Sequence, residues 1–299
     1  FKPELIGFSV MTPYYQNTKG VVGKLRKLLP KLIICVGGNH PTGMPQDTLK
    51  DMDIDFVVVG EGEYILREVC DKFDKKVDPF KNTKGIVYKR KNKIIINPLR
   101  ELITNLDELP IPKREFLDME KYLTLPGIIK GYAMERTTSI IFSRGCPFNC
   151  IYCGNRLMWR GRFRRRSPDK VIEEVEYLVK NYKVKGVLFL DDTFTFGIDW
   201  VREFCRKFRK KKFGIKWGCN SRVDTLTEEM LIEMKKAGCI QLDFGVESGS
   251  DKVLKDLNKN TTRKAIERAF ALAKKHGFRT MGSFMGGNPE EKEEDIINL

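Results

Sequence analysis

Histidine is scarce in this chain, and long hydrophobic runs are absent. His40 and His276 are the only imidazoles among 299 residues, which leaves few candidates for histidine-based metal sites or acid–base catalysis. No apolar run reaches the roughly 20 residues that a membrane-spanning helix needs, so we predict no transmembrane segment, and no signal peptide is visible. The eight cysteines do not belong to a small secreted scaffold, and we expect a reducing, cytoplasmic location.

Acidic residues are outnumbered by basic ones, 40 to 55, which gives a formal net charge of +15. Such an excess suits nucleic acid, an acidic membrane surface or a polyanionic substrate. The densest basic patch is interleaved with Trp159 and Phe163, a mixture that can bind RNA or phosphate groups. It lies shortly after three clustered cysteines, which favours a rim or covering loop instead. The basic patch consists of Arg156, Arg160, Arg162, Arg164, Arg165 and Arg166.

The clustered cysteines form the segment Cys146-Pro-Phe-Asn-Cys150-Ile-Tyr-Cys153. The apolar run at residues 139–142 predicts a strand, and Gly145 and Pro147 predict a loop directly after it. The thiols are therefore expected at the end of a strand, where barrel enzymes place reactive groups. Three thiols can hold one soft metal centre and leave it a ligand short of a closed site. A structural Cys3His zinc site and unligated buried thiols are the alternatives.

After Ser139 the sequence shows five strand-plus-helix units. The predicted strands end in polar or glycine-rich groups, which are Asp191-Asp192, Asn220-Ser221-Arg222, Gly245-Val-Glu247-Ser248-Gly249 and Gly286-Gly287. Successive units of this kind predict a parallel barrel with its functional residues at one rim.

Before the cysteines, strand patterns at residues 5–11, 32–36 and 56–59 alternate with short helices. This alternation predicts a parallel sheet covered on both faces. Glycines directly after the strands, such as Gly37 and Gly38, let a ligand approach the carboxyl edge of the sheet. A generic doubly wound nucleotide-binding domain is the alternative.

A hairpin pattern at residues 85–96 and the two prolines Pro110 and Pro112 predict a hairpin followed by a linker. The predicted division is an α/β domain over residues 1–80, the hairpin and linker over residues 81–130, and the barrel over residues 131–299. We expect the first domain to be truncated at its amino end and the barrel to be truncated before its last strand.

The cysteine segment resembles the CxxxCxxC loop of the radical SAM superfamily. The resemblance implies a partial (β/α)6 barrel and a [4Fe-4S] cluster held by Cys146, Cys150 and Cys153. It implies that the fourth iron chelates the amino and carboxylate groups of S-adenosylmethionine (SAM). Reductive cleavage of SAM would then give a 5′-deoxyadenosyl radical that removes a hydrogen atom from an unactivated carbon.

The same resemblance assigns SAM contacts to residues near the strand ends, and it assigns no side chain as catalytic. Asp191 and Asp192 would meet the amino group, since opposite charges offset each other's desolvation. Arg222 would meet the carboxylate with its fork of N–H donors, and Glu247 the ribose hydroxyls or the amino group. Helix caps and surface ion pairs are the ordinary alternatives. The implied SAM-binding residues are Tyr152, Asp191, Asp192, Arg222, Glu247, Ser248, Gly282 and Gly286.

The amino-terminal pattern resembles the latter part of the cobalamin-binding domain that precedes many radical SAM barrels. The resemblance implies a partial Rossmann-like domain in which Ser9, Gly37 and Gly38 line the slot for the dimethylbenzimidazole tail. The family's DxHxxG loop would lie before Phe1, and no cobalt-ligand role is carried onto His40. Cobalamin would carry a methyl group to the substrate, although some family members catalyse cyclisation or rearrangement.

The implied function is that of a metal-binding, cobalamin-dependent radical SAM methyltransferase. We expect a small-molecule or lipid substrate rather than nucleic acid, and an electron donor such as flavodoxin or ferredoxin. Two alternatives stay open. One is a radical SAM enzyme that modifies RNA and has a cofactor-free amino-terminal scaffold; the other is a non-catalytic metal-binding module for nucleic acid.

Overall fold

The computed structural model describes residues 2–91, 93–124, 129 and 135–297. The chain divides into two compact units: unit 1 comprises Phe1–Thr104 and Gly154–Arg160, and unit 2 comprises Asn105–Cys153 and Gly161–Leu299. The predicted boundaries at residues 80 and 130 stay a prediction, and residues 130 and 131 lie outside the described ranges. None of the described helices combines the length and the apolar character needed to cross a membrane.

The strands are β1 (Leu5–Ser9), β2 (Ile33–Gly37), β3 (Phe56–Val58), β4 (Ile86–Arg90), β5 (Lys93–Ile96), β6 (Thr137–Ile140), β7 (Ser143–Arg144), β8 (Arg164–Arg165), β9 (Gly186–Phe189), β10 (Lys216–Ser221), β11 (Cys239–Glu247) and β12 (Arg279–Phe284). The helices are α1 (Tyr15–Leu28), α2 (Asn39–Gly43), α3 (Pro45–Asp51), α4 (Glu63–Asp74), α5 (Met119–Leu123), α6 (Asn155–Trp159), α7 (Pro168–Tyr182), α8 (Ile198–Lys211), α9 (Glu228–Lys236), α10 (Asp251–Asp256), α11 (Arg263–Lys275) and α12 (Glu293–Ile297).

Unit 1 is built on a sheet with the strand order β1-β2-β3-β4-β5. The first three strands are parallel, and β4 and β5 continue the sheet as an antiparallel hairpin. Ile34, Val36 and Val57 are fully buried, because parallel strands with covered faces need apolar side chains on both sides. The predicted parallel α/β sheet is confirmed.

Unit 2 is built on a second sheet with the order β12-β11-β10-β9-β6, in which all neighbours are parallel. Helices alternate with these strands, as a parallel barrel requires. The buried aromatic side chains Phe189, Phe204 and Trp217 pack edge to face in its core. The predicted partial barrel is thus confirmed in the described residues, with the strand ends on one edge.

Local sequence signals set the starts of the outer helices. The Ser167 hydroxyl accepts a hydrogen bond from the Lys170 amide at 3.4 Å, and Pro168 stands at the first helical position of α7. Thr227 caps α9 in the same way, through the Met230 amide at 3.2 Å. These side chains satisfy amide groups that a helix start leaves without a partner.

Candidate active site

The three clustered cysteines lie in the loop that follows β6 and the short strand β7. Gly145 has a φ of +86°, a left-handed conformation that favours glycine. Cys146 is half-buried, Cys150 is buried and Cys153 is exposed. The loop therefore begins at the carboxyl end of the first barrel strand, where the sequence predicts it.

Two polar side chains approach the sulfur atoms of this loop. Thr193 Oγ1 lies 3.6 Å from Cys146 Sγ, and Arg222 Nη1 donates to Cys150 Sγ at 3.6 Å. A cation and a hydroxyl beside soft thiol ligands suit a thiolate-bound metal centre. No three His, Cys, Asp or Glu side chains are grouped around a single ion position within the described ranges.

Asp191 anchors the start of the cysteine loop. Its Oδ1 accepts hydrogen bonds from the Phe142 amide at 3.0 Å, the Ser143 amide at 2.6 Å and the Ser143 hydroxyl at 2.5 Å. Burial raises its pKa to about 7, because a low-dielectric site disfavours the charged form. The structure thus gives Asp191 a place inside the loop base, whereas Asp192, the other residue predicted to meet the SAM amino group, is exposed.

Arg222 is buried at the end of β10 and supports the cysteine loop. Its Nε and Nη2 donate to Asp224 at 2.9 and 2.7 Å, and Nη2 also donates to the Lys259 carbonyl at 2.6 Å. The guanidinium carbon lies 3.7 Å from the centroid of the Phe148 ring. The fork predicted to bind a carboxylate of SAM is therefore turned to Asp224 in this structure.

Glu247 ends β11 with a φ of +70°, and its carboxylate is paired with a buried lysine. Lys259 Nζ lies 2.9 Å from Glu247 Oε1 and donates to the Tyr152 hydroxyl at 3.4 Å. Burial and the nearby carboxylate raise the Tyr152 pKa. Lys259 is not among the residues predicted from the sequence, since a lysine near a helix end is usually exposed and no spacing distinguishes it.

Three further predicted positions differ in the space around them. Ser248 is fully buried, and its hydroxyl accepts from the Ser250 amide at 3.1 Å. A side chain at Gly282 would meet Phe284 and Phe270 at 3.1 and 3.3 Å, so neighbouring side chains fill the space at this predicted SAM-binding position. A side chain at Gly286 would meet no atom within 4 Å, so open space is available there.

In unit 1 the structure brings the predicted corrin-slot residues together. β1 and β2 pair Ser9 with Gly37. Gly38 has a φ of +95°, and a Cβ there would lie 2.9 Å from the Val10 nitrogen and 3.1 Å from Ser9 Oγ. The two turns thus form one close-packed edge that only glycine at this position permits.

Much of the basic patch is used within the chain. Arg166 donates to Glu174 at 3.1 Å, and Arg165 lies over the Trp200 ring with 4.8 Å to its centroid. Arg160 donates to the Arg100 carbonyl at 3.0 Å. These contacts are intramolecular, which favours a supporting role for these three arginines over RNA binding.

Comparison with known families shows to which superfamily the chain belongs. The family model of the radical SAM superfamily matches residues 140–299, more than half of the chain. The chain belongs to the radical SAM superfamily. The family model of the B12 binding domain matches residues 1–70, the part of the chain whose pattern resembles a cobalamin-binding domain.

Relatives of this radical SAM protein match it over almost its whole length. An uncharacterized methyltransferase of Pyrococcus horikoshii is 34% identical over 99% of this chain and 63% of its own. An anaerobic magnesium-protoporphyrin IX monomethyl ester cyclase of Rubrivivax gelatinosus is 32% identical over 99% of this chain and 53% of its own. The chain therefore spans between half and two thirds of these relatives.

A solved structure shares the fold of this radical SAM chain. The cobalamin-dependent radical enzyme OxsB, with aqua-cobalamin and SAM bound, superposes with a TM-score of 0.82 at 20% identity. The match covers 99% of this chain and 43% of that one. At this identity the likeness supports the two-part fold.

Proposed function

We propose that this protein is a cobalamin-dependent radical SAM methyltransferase that acts on an unactivated carbon. The observation that carries the proposal is the Cys146–Cys153 loop at the carboxyl end of the first barrel strand. It occurs in a chain whose amino-terminal unit matches the B12 binding domain. The two family matches together favour the pairing of a radical generator with a methyl carrier.

The cluster ligands would be Cys146, Cys150 and Cys153. The donor set fits, since three soft thiols on one loop leave an iron open for a second ligand, and Thr193 and Arg222 lie beside two of the sulfur atoms. When bound and reduced, the cluster would supply the one electron needed to cleave a carbon–sulfur bond of the SAM sulfonium into methionine and a 5′-deoxyadenosyl radical.

The protein's own residues would bind and orient SAM beside the cluster. Asp192 is exposed at its strand end and would meet the amino group, and Glu247 would accept from the ribose. The adenine ring would lie against Gly286, where an added Cβ would meet no atom within 4 Å. Arg222 would reach the SAM carboxylate after rearrangement of its pair with Asp224. Water exclusion around these groups would protect the radical.

Cobalamin would bind unit 1 with its tail against the edge formed by Ser9, Gly37 and Gly38, which the absence of a side chain at Gly38 allows to pack closely. Methylcobalamin held there would supply a methyl group, by homolysis of its cobalt–carbon bond, to the carbon from which the 5′-deoxyadenosyl radical removes a hydrogen atom. A second outcome is ring formation, because the relative from Rubrivivax gelatinosus is named a cyclase. That name also favours a small organic substrate over nucleic acid.

The setting follows from the same chemistry. All eight cysteines are free thiols in the structure, which favours a reducing compartment, and we propose the cytoplasm. A low-potential donor such as flavodoxin or ferredoxin would reduce the cluster there.

Anaerobic reconstitution of the full-length protein tests this function. We expect iron and sulfide to give a [4Fe-4S] EPR signal that changes when SAM is added, and dithionite to drive formation of 5′-deoxyadenosine. The Cys146→Ala/Cys150→Ala/Cys153→Ala variant is the matched control and should lose all three results. A colourless, zinc-loaded wild-type protein would contradict radical chemistry. Failure to bind methylcobalamin would remove methyl transfer and leave radical chemistry standing.

A further inference from the structure

A short segment after α10, Leu257–Asn260, is packed against the cysteine loop. The Ile151 amide donates to the Leu257 carbonyl at 3.1 Å. The Asn258 side-chain amide donates to the Asn149 carbonyl at 2.8 Å. Two successive residues of the segment therefore hold the loop backbone on either side of Cys150.

Lys259, within this segment, extends the connection to predicted ligand-binding side chains. Its Nζ lies 2.9 Å from Glu247 Oε1 and donates to the Tyr152 hydroxyl at 3.4 Å. Its carbonyl accepts from Arg222 Nη2 at 2.6 Å. One residue thus touches the cysteine loop, the carboxylate at the end of β11 and the arginine at the end of β10.

The ion pair between Lys259 and Glu247 is buried, with the two side chains 4% and 10% exposed. Each side chain is thereby kept in place by the other, because separation of the pair would leave an uncompensated charge in the interior. Gly245 makes room for it: a Cβ there would lie 2.7 Å from Glu247 Oε1 and 3.1 Å from Lys259 Nζ.

Backbone conformation also indicates a constrained site. Glu247, Asn258 and Asn260 have φ values of +70°, +52° and +55°. Asparagine adopts this left-handed region more readily than most residues, whereas a glutamate reaches it at a cost, as residues at functional sites often do. Asn258 and Asn260 flank Lys259 and fix the direction in which it enters the site.

We propose that Lys259 is a positioning residue that couples SAM binding at Glu247 to the geometry of the cysteine loop. The proposal rests on the proposed function, since it takes Glu247 as a SAM contact. Lys259 fixes the carboxylate in one rotamer while it holds Tyr152, so that displacement of the carboxylate by a ligand is transmitted to the loop that carries Cys150 and Cys153. The role is one of orientation, and Lys259 itself reacts with nothing.

The test compares Lys259→Met with the wild type and with Lys255→Met, a control at an exposed lysine of α10. Each reconstituted full-length protein is assayed for iron content, for the SAM dissociation constant and for the SAM-induced change in the EPR spectrum. We expect Lys259→Met to keep its iron, to bind SAM about 10- to 100-fold more weakly, the range of loss when a residue that orients a binding side chain is removed, and to lose the EPR change. Lys255→Met should match the wild type, and Lys259→Arg, which keeps the charge, should restore part of the EPR change.

A double-mutant cycle separates this role from a structural one. If Lys259 acts through Glu247, SAM affinity in Glu247→Gln/Lys259→Met should equal that in Glu247→Gln alone, because contacting residues are not additive. A further tenfold loss would overturn the proposal, as would wild-type SAM affinity in Lys259→Met. The double variant has no unpaired buried charge, so it can be measured even if Lys259→Met fails to fold. Loss of the cluster in both Lys259→Met and the double variant would show that Lys259 only supports folding and would overturn the proposal.

Failure of the proposed function gives a different result. A wild-type cluster whose EPR spectrum ignores SAM contradicts SAM chemistry for the whole protein, whatever the variants do. A wild-type cluster that responds to SAM, together with a Lys259→Met cluster that responds equally, contradicts only the positioning role.

Discussion

Asp191 accepts three hydrogen bonds through one oxygen and leaves the other, Oδ2, buried without a hydrogen-bond partner in the described structure. Its carboxyl group is almost fully buried, and burial is the main cause of its raised pKa. Ionisation of Asp191, at the base of the cysteine loop, should therefore make the free energy of unfolding depend on pH. A carboxyl group whose pKa is higher in the folded state binds a proton that the unfolded chain has already released.

Asp191→Asn should remove part of this pH dependence. In the wild type, Asp191 ionises near pH 4 when unfolded and near pH 7 when folded, so its contribution makes the free energy of unfolding fall as pH rises through that window, by about 4 kcal/mol in all. Asparagine keeps the acceptor oxygen and adds a cost that does not vary with pH. Denaturant titrations of the full-length protein from pH 4 to pH 8 measure the difference. We expect the free energy of unfolding of Asp191→Asn to rise relative to that of the wild type as pH increases, and this difference to level off above pH 7. A difference that does not change with pH would contradict the raised pKa of Asp191.

Residue types and spacing predicted which strand ends carry polar groups, and they could not predict which way each side chain points. Asp191 and Asp192 are adjacent and chemically identical, yet one is buried in the loop base and the other exposed. Gly282 and Gly286 differ in the same way, since only tertiary packing places Phe270 against Gly282. Lys259 depends on contacts between distant segments, which no local pattern records.

Helix α7 is connected to the linker and to β6 by a buried network of charges. Glu174 accepts from Arg114 at 2.9 Å and from Arg166 at 3.1 Å. Arg114 also donates to the Ser139 carbonyl of β6 at 3.3 Å, and Arg166 to the Leu109 carbonyl of the linker at 3.1 Å. One carboxylate thus pairs with two cations that connect three elements of unit 2.

Glu174→Ala should destabilise the protein strongly, because it leaves two guanidinium groups without their carboxylate in the interior. We expect a loss of about 3 to 5 kcal/mol in the free energy of unfolding. Glu173→Ala is the matched control on the same helix, since Glu173 is exposed and pairs with Lys170 on the surface, where such pairs contribute about 1 kcal/mol or less. Denaturant unfolding of both variants decides, and equal losses would contradict a role for the network.

Elements with strong local signals were predictable, and elements that depend on distant partners were not. The starts of α7 and α9 follow from Ser167-Pro168 and Thr227. The short helix α6 was missed because its apolar residues Leu157 and Met158 show no helical period over so few residues. Its contact is tertiary, since a side chain at Gly43 would lie 2.8 Å from Leu157 Cδ2.

At the scale of the whole molecule, each of the two units has a hydrophobic core of its own. Among the residues that the structure describes, the core around Phe189 and Trp217 in unit 2 shares no member with the cores around Ile34 and Phe56 in unit 1. The B12 binding match, at residues 1–70, lies in unit 1. The radical SAM match, at residues 140–299, lies in unit 2 except for residues 154–160. Damage to the packing of one unit should therefore leave the chemistry of the other intact.

Gly38→Ala tests this independence. The left-handed φ of Gly38 disfavours a side chain, and the added Cβ would be forced to 2.9 Å from the Val10 nitrogen, so we expect the edge formed with Ser9 to open. Methylcobalamin binding, followed by corrin absorbance, should fall at least about tenfold, the lower range for displaced supporting groups, while the SAM-induced EPR change stays at the wild-type level.

The matched control is Gly23→Ala on α1, where an added Cβ meets no atom within 4 Å and alanine favours the helix by about 1 kcal/mol. It should leave both signals unchanged, so a loss of corrin binding in Gly38→Ala alone can be assigned to the turn. Because the edge at Gly38 and the cysteine loop belong to units with separate cores, an EPR response lost together with corrin binding would contradict the division of chemistry between them.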